Sequence, residues 1–243
     1  MLNKFLVMFL TAVLLTFASA TTTMASPGGG SGGGNGGGEL VPLSEDEVTG
    51  LLFMREEEKL ARDSYLTLGG IWDLTIFFNI ASSEQQHMDA LLKLIDKYGL
   101  PDPVAIEPDS GKFVNEDLQA LYDFLMFFGE ESLMNALYVG ILIEETDIHD
   151  IEHEIEIAED QDYVHEDLIS TYESLMCGSR NHLRAFVRQI EDRGDVYDPA
   201  DRYTDEDDIA LFLDIAYSDM EQDCDDDDYD DDDDDDEKGK KGR

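Results

Sequence analysis

The motif Glu84-x-x-His87 constrains the fold of this chain more than any other feature, because it lies inside a long helical pattern. Residues three apart share one face of a helix, so both side chains can point at one spot. Apolar residues continue this face at Ile80, Leu91 and Leu94, which predicts that the pair faces the core. A buried carboxylate is costly without a partner, and a metal ion would bind both groups.

The two ends of the chain differ in composition from the part that can fold. Residues 1–20 contain a lysine, an apolar run and Ala18-Ser19-Ala20, which predicts a signal peptide and an exported protein in the periplasm, at the cell surface or outside the cell. A membrane anchor is less favoured because the apolar run is shorter than the roughly 20 residues that span a bilayer. The glycine-rich residues 21–40 predict a disordered tether. The aspartate-rich residues 221–243 predict a disordered tail that attracts cations.

The charge of the chain narrows the class of partner. The 243 residues carry a formal net charge of −42, so nucleic acid is excluded because its phosphates would be repelled. Metal ions and other cations suit this charge, and a homodimer is left open. Cys177 and Cys224 are the only cysteines. Without a disulfide framework, stability must come from packing, or from packing plus metal, and a disulfide between the two is the less favoured alternative.

Hydrophobic periodicity over residues 41–193 predicts an all-α bundle of four long helices. The first helix begins after the N-cap Ser44, runs over 45–68 and stops at Gly69-Gly70. The second is capped by Asp73 and ends before residue 99, and the others cover 131–158 and 165–192. A long connection with a short helix at 115–128 joins the second helix to the third, which is the crossover of ferritin-like bundles. Residues 194–220 predict a loop and an accessory helix, capped by Thr204, that packs outside the bundle.

Each of the four long helices places a metal-ligand residue on its predicted core face. Carboxylates and imidazoles without cysteine favour iron or manganese over structural zinc or an iron–sulfur cluster. Glu145 is the competitor of Glu144, while Glu56, Glu57 and His165 are predicted to be solvated. The predicted metal ligands are Glu58, Glu84, His87, Glu144, Asp147 and His182.

The segments around these residues resemble known proteins. REEEKLARDSYLTL at 55–68, NIASSEQQHMDALLKLIDKYGLPDP at 79–103, VGILIEETDIHDIE at 139–152 and GSRNHLRAF at 178–186 are similar to a prokaryotic ferritin-like, rubrerythrin-like domain family of unassigned function. The resemblance covers roughly residues 43–190 and implies the fold more than an activity. Carried over residue by residue, it implies that Glu58, Glu84, His87 and Glu144 match ligand positions.

One departure from the ferritin-like pattern affects the expected chemistry. Ser179 stands where a second Glu-x-x-His motif would have its glutamate, and only Asp147 or Glu145 is near enough in the sequence to replace it. The site is therefore expected to be a modified di-metal centre, a single-metal site, or a site that has lost its metal.

Three functions from different classes follow from these residues. The favoured one is an exported oxidoreductase that uses an iron centre, di-iron or modified, or manganese, with oxygen or peroxide. The alternatives are a non-catalytic protein that binds or sequesters cations outside the cytoplasm, and a structural module that no longer binds metal. The intact Glu84-x-x-His87 motif favours the first two.

Overall fold

The computed structural model describes residues 40–199 and 206–218, and these residues form seven helices and no strand. The predicted all-α class is therefore confirmed. The predicted signal peptide, nearly all of the predicted tether and the predicted aspartate tail lie outside the described residues. The helices are α1 Glu45–Trp72, α2 Thr75–Tyr98, α3 Pro103–Ile106, α4 Glu116–Gly129, α5 Leu133–Glu159, α6 Glu166–Glu191 and α7 Glu206–Tyr217.

The four long helices α1, α2, α5 and α6 form a bundle. Helix α1 packs most extensively on α2, and α5 on α6, while α1 also contacts α5 and α2 also contacts α6. Helices α2 and α5 are not among the packed pairs of described elements, so they lie diagonally across the bundle. The connection between them crosses the bundle and carries α4, as the sequence predicts. It also carries the short helix α3, which the sequence did not predict. Within the described residues, no helix combines the length and apolarity needed to cross a membrane.

Helix α1 begins where the sequence predicts and ends later. Ser44 and Glu47 form a reciprocal capping box, in which the Ser44 amide donates to Glu47 Oε2 (2.7 Å) and the Glu47 amide donates to Ser44 Oγ (3.2 Å). The predicted stop at Gly69-Gly70 is wrong, because the helix continues to Trp72, whose Nε1 donates to the carbonyl of Gly129 (3.0 Å). Asp73 then adopts a left-handed conformation (φ 50°) and ends α1 rather than capping α2 as predicted.

Polar residues of α1 fasten the crossover connection to the bundle. The ammonium of Lys59 is completely buried and donates to the carbonyls of Asp109 (2.8 Å) and Lys112 (2.7 Å). The Glu56 carboxylate accepts from the backbone amides of Val114 (2.6 Å) and Asn115 (3.0 Å). The prediction that Glu56 is solvated is therefore wrong, since the connection covers this face of α1 and supplies the donors that a buried carboxylate needs.

A buried hydrogen bond joins the starts of α1 and α6. His165 Nδ1 lies 2.7 Å from Glu47 Oε1, and both side chains are buried. The prediction that His165 is solvated is therefore wrong. Its partner Glu47 is distant in the sequence, and the acidic residues next to His165 gave no indication of it. Cys177 on α6 is disulfide-bonded, so the prediction that a disulfide is the less favoured alternative is wrong. The other cysteine lies outside the described residues.

The hydrophobic core is divided into two clusters with a polar layer between them. On α1, Met54 belongs to one cluster and Ala61 to the other, with Glu58 between. On α6, Met176 and Leu183 flank the polar layer in the same way. Helices α1 and α6 therefore both change from apolar to polar and back to apolar at the same level of the bundle.

Helix α7 lies on α6 and extends the cluster that contains Ala61 and Leu183. Phe212 is fully buried, and Arg184 Nη1 donates to the carbonyl of Ile215 (3.2 Å). This agrees with the predicted accessory helix outside the four-helix bundle. Its predicted cap, Thr204, lies outside the described residues.

Candidate metal centre

The polar layer of the bundle contains every predicted ligand residue. All six side chains are buried, and five of them form two groups whose potential ligand atoms lie within 4.8 Å of one another. The two groups share Glu84. One is formed by Glu58, Glu84 and His87, and the other by Glu84, Glu144 and His182.

The first group joins α1 to α2. Nδ1 of His87 lies 2.9 Å from Glu84 Oε2 and 3.2 Å from Glu58 Oε2. Glu84 and His87 are three residues apart on α2, so their side chains reach the same point, as the motif predicts. The other oxygen of Glu58, Oε1, is buried and has no hydrogen-bond partner.

The second group joins α2 to α5 and α6. Nδ1 of His182 lies 2.9 Å from Glu84 Oε1 and 3.4 Å from Glu144 Oε2. Despite this proximity, neither His182 Nδ1 nor Glu84 Oε1 has a partner in hydrogen-bonding geometry. Close, misaligned ligand atoms are expected when both point toward a third atom, and a metal ion is one that they could share.

Asp147 lies at the edge of this constellation and is held by Ser179. Ser179 Oγ donates to Asp147 Oδ2 (2.5 Å), while the buried Oδ1 has no partner. The alternative carboxylate, Glu145, accepts a hydrogen bond from Tyr197 (2.5 Å) and belongs to neither group. Of the two candidates to replace the missing glutamate of α6, Asp147 is therefore the one that faces the site.

An aromatic wall closes one side of the site. Tyr65 is fully buried and donates a hydrogen bond to Glu144 Oε1. Its ring packs against Phe186, with centroids 5.3 Å apart, and against Phe77, with centroids 6.2 Å apart. The hydroxyl orients Glu144, and the surrounding rings exclude water from that carboxylate.

Sequence reasoning missed two buried residues next to the predicted ligands. Gly178 makes room for His87, since a Cβ on Gly178 would lie 2.4 Å from His87 Nε2. The signal was its spacing, because Gly178 precedes His182 by four residues and so lies on the same face of the helix. Glu57 was predicted to be solvated, but it is only 4% exposed and its Oε2 has no partner. No signal in the sequence distinguished it from Glu56.

The buried charges shift one another's pKa values. Burial raises the pKa of Glu58 to about 7, although His87 opposes this shift. Burial alone would also raise the pKa of Glu84, but the adjacent His182 and His87 hold it well below its usual range. Burial would lower the pKa of His182, but the charges of Glu84 and Glu144 raise it to about 10. Without a metal ion, both histidines are therefore imidazolium ions that partly neutralise the carboxylates.

The histidines cannot neutralise the whole site. Four carboxylates are buried here beside two histidines, so the two rings cannot pair with all of them. Burial and the neighbouring carboxylates raise the pKa of Asp147 well above its usual range. The layer thus offers oxygen and imidazole ligands, and carboxyl groups that keep protons where a metal ion could bind instead. The carboxylates are Glu58, Glu84, Glu144 and Asp147.

Comparison with known proteins shows the family of the chain. A curated relative, the uncharacterized protein MJ0754 of Methanocaldococcus jannaschii, is 51% identical over 159 residues, which cover 65% of this chain and 82% of that protein. The crystal structure of the hypothetical protein MJ0754 from Methanococcus jannaschii superimposes with a TM-score of 0.67 at 45% identity, over 75% of this chain and 98% of that chain. The model of the uncharacterized protein domain DUF2202 matches residues 47–211, so the chain belongs to this domain family.

Proposed function

We propose that this protein is an exported, ferritin-like metal-binding protein whose buried centre holds a pair of iron or manganese ions and acts as an oxidoreductase. The observation that carries this proposal is the sharing of Glu84 between two ligand groups, each with its own histidine and its own second glutamate. A carboxylate with one oxygen near each group is suited to bridge two ions. Glu58 and His87 would complete one ion's ligands, and Glu144 and His182 those of the other.

Asp147 would take the place of the carboxylate that α6 lacks. Ser179 donates to one oxygen of Asp147 and leaves the other unpartnered in the buried layer. The charges of Glu58, Glu144 and Glu84, which between them represent both ligand groups, act on Asp147. The serine of α6 thus positions a carboxylate from α5, and this supports a modified centre with a near-complete ligand set.

The chemistry of the centre follows from its ligands and its walls. Bound iron or manganese would supply electron exchange with oxygen or peroxide. Residues of the chain preorganise the site. Tyr65 orients Glu144 through its hydroxyl, and Phe186 packs behind the Tyr65 ring. The resulting low-water environment strengthens the interaction between the carboxylates and a cation.

The proposal is tested on full-length protein purified without chelator. We expect bound iron or manganese, an optical spectrum that changes on oxidation, and oxygen consumption when iron(II) is added to the apo protein. The double variant Glu84→Ala/His87→Ala should lose all three while remaining helical, because removing the carboxylate also relieves repulsion. A protein truncated after residue 220 separates the centre from the cations that we propose bind the aspartate tail. Unchanged binding in the double variant would contradict the proposal.

A non-catalytic cation-binding protein is the second candidate. The observation that favours it is Ser179, since a hydroxyl on α6 replaces a charged ligand and leaves the second ion more weakly held. Tight metal uptake without oxygen consumption would support this candidate over the oxidoreductase. Absence of any metal uptake by the centre would instead support the remaining alternative, a structural module that no longer binds metal.

A further inference from the structure

A line of carboxylates continues from the metal centre along the contact between α1 and α5, and the proposed function makes no use of it. We call Glu57, Asp150 and Glu154 the acidic row. Asp147, Asp150 and Glu154 follow one another at three- and four-residue intervals on α5, so they lie along one face of that helix. Glu57 contributes from α1. The row therefore begins beside Asp147 at the centre and runs toward the end of α5.

Glu57 is the buried member of the row, and its carboxylate has no cation. Its Oε2 has no hydrogen-bond partner although the residue is only 4% exposed. Its carboxyl group lies within hydrogen-bonding reach of Asp150. Two carboxylates this close must share a proton or hold a cation between them.

Glu154 forms the outer end of the row. Its carboxylate lies against the backbone of Gly50 on α1, since a Cβ at that glycine would be 1.6 Å from Glu154 Oε2. This oxygen is buried and unpartnered, although the residue is partly exposed. Burial and the charges of Asp150 and Asp46 raise the pKa of Glu154 to about 7. The missing side chain of Gly50 thus lets an acid lie between the helices rather than extend into water.

The row lacks the partners that normally accompany buried acids. Among the ion pairs of the described residues, no lysine or arginine contacts Glu57, Asp150 or Glu154. Asp150 pairs with the exposed ring of His149, with Oδ1 3.3 Å from Nδ1. Burying carboxylates without hydrogen-bond donors is costly, and a divalent cation offsets that cost.

We propose that the acidic row is a second, transient binding site for divalent metal ions, through which they pass from solvent to the metal centre. This inference rests on the proposed metal centre. The row offers oxygen ligands only, which suits partly hydrated iron(II) or manganese(II) ions. Because it lacks the histidines of the centre, it binds these ions more weakly and releases them inward. The centre, with imidazole ligands and shared Glu84, retains them.

The inference is tested by the rate at which cobalt(II) loads the full-length apo protein in a stopped-flow instrument. Cobalt(II) with nitrogen and oxygen ligands in the centre gains visible absorption, which ions on the tail lack. We expect Glu57→Gln and Glu154→Gln to slow loading by roughly threefold to tenfold, because local negative charge concentrates cations. The final absorbance should equal that of the wild type. The matched control is Glu152→Gln, an exposed residue of the same helix that loses the same charge.

Gly50→Ala provides a test without any change of net charge. The added Cβ would occupy the position of the Glu154 carboxylate and force that flexible side chain outward. Loading should slow as it does in Glu154→Gln. The same substitution at Gly70, where a Cβ would meet nothing within 4 Å, should leave the rate unchanged.

Each outcome of these experiments has one meaning. Slower loading in the row variants and in Gly50→Ala, with full final absorbance, supports the inference. Wild-type rates in Glu57→Gln and Glu154→Gln overturn it, as does equal slowing in Glu152→Gln. A reduced final absorbance would make the row part of the centre and overturn its transit role. If wild-type protein gains no absorption, the proposed centre fails, and this inference fails with it.

Discussion

The rings of His87 and His182 stack in the middle of the bundle, with centroids 5.6 Å apart and planes inclined by 26°. Nδ1 of each ring lies 2.9 Å from a different oxygen of Glu84. His87 comes from the same helix as Glu84, whereas His182 comes from α6. Glu84 therefore connects the two halves of the site. Its removal should affect both halves, whereas removal of Glu58 should affect only one.

Glu84→Gln should abolish binding of both proposed metal ions, whereas Glu58→Gln should abolish binding of one. The reason is that Glu84 belongs to both ligand groups and Glu58 to only one. We expect metal affinity to fall at least roughly a hundredfold at each affected position. Loss of a group that only orients a metal ligand already lowers affinity by roughly tenfold to a hundredfold. Titration calorimetry with manganese(II) gives both stoichiometry and affinity. Asp96→Asn, at an exposed position of α2, is the control, and full stoichiometry in Glu84→Gln would refute the shared role.

Gly178→Ala should weaken the half of the site that contains His87. The new Cβ would lie 2.4 Å from His87 Nε2, so the ring must move away from Glu84. The fold should survive, because alanine favours a helix over glycine by roughly 1 kcal/mol. Circular dichroism and metal titration check the two effects separately. Gly70→Ala is the matched control, and metal binding equal to wild type in Gly178→Ala would show that His87 is not needed in its observed position.

Ser179→Ala should lower both metal affinity and the stability of the protein. The hydroxyl donates to Asp147 Oδ2, and its loss leaves a second oxygen of a buried carboxylate unpartnered. The free energy of unfolding should fall by about 1–3 kcal/mol. Chemical denaturation and manganese(II) titration measure the two effects. The control is Ser170→Ala, an exposed serine of the same helix, and an unchanged affinity in Ser179→Ala would remove Asp147 from the ligand set.

The apo protein should lose stability as pH rises from about 5 to 10. The pKa of Glu58 in the folded protein is raised by burial to about 7 from 4.5, so between these values the folded state keeps a proton that the unfolded state releases, and stability falls with rising pH. Burial opposes the shift of His182, but nearby carboxylates raise its pKa from 6.5 to about 10. Its stabilisation is fully present below 6.5 and is lost as pH rises through 10.

Denaturation midpoints of apo and metal-loaded protein across this pH range test the prediction. Metal ions replace the protons of these groups, so the loaded protein should show a flatter dependence on pH. Glu58→Gln should flatten the apo curve between about 4.5 and 7 only. A stability that rises with pH in the apo protein would contradict the assigned directions.

Local patterns predicted much of the fold because helix starts and apolar stripes depend on near neighbours. The capping box of Ser44 and Glu47 appears as expected, and the helix capped by Asn115 lies in the crossover. The errors arose where distant residues intervene. Helix α1 passes through Gly69-Gly70 because Trp72 bonds to Gly129, a residue far along the chain. Glu56 and His165 are buried for the same reason, since their partners come from other elements.

What the sequence determined by itself is the set of ligand types and the pairing of Glu84 with His87, because three-residue spacing on a helix is a local property. Only the tertiary structure decided which of two adjacent acids faces the centre, placing Glu144 beside His182 and Glu145 beside Tyr197. Neighbouring residues on a helix point in different directions, and packing against the other helices sets the rotation that selects between them. The shared position of Glu84 has the same origin, since it exists only where α2 and α6 meet.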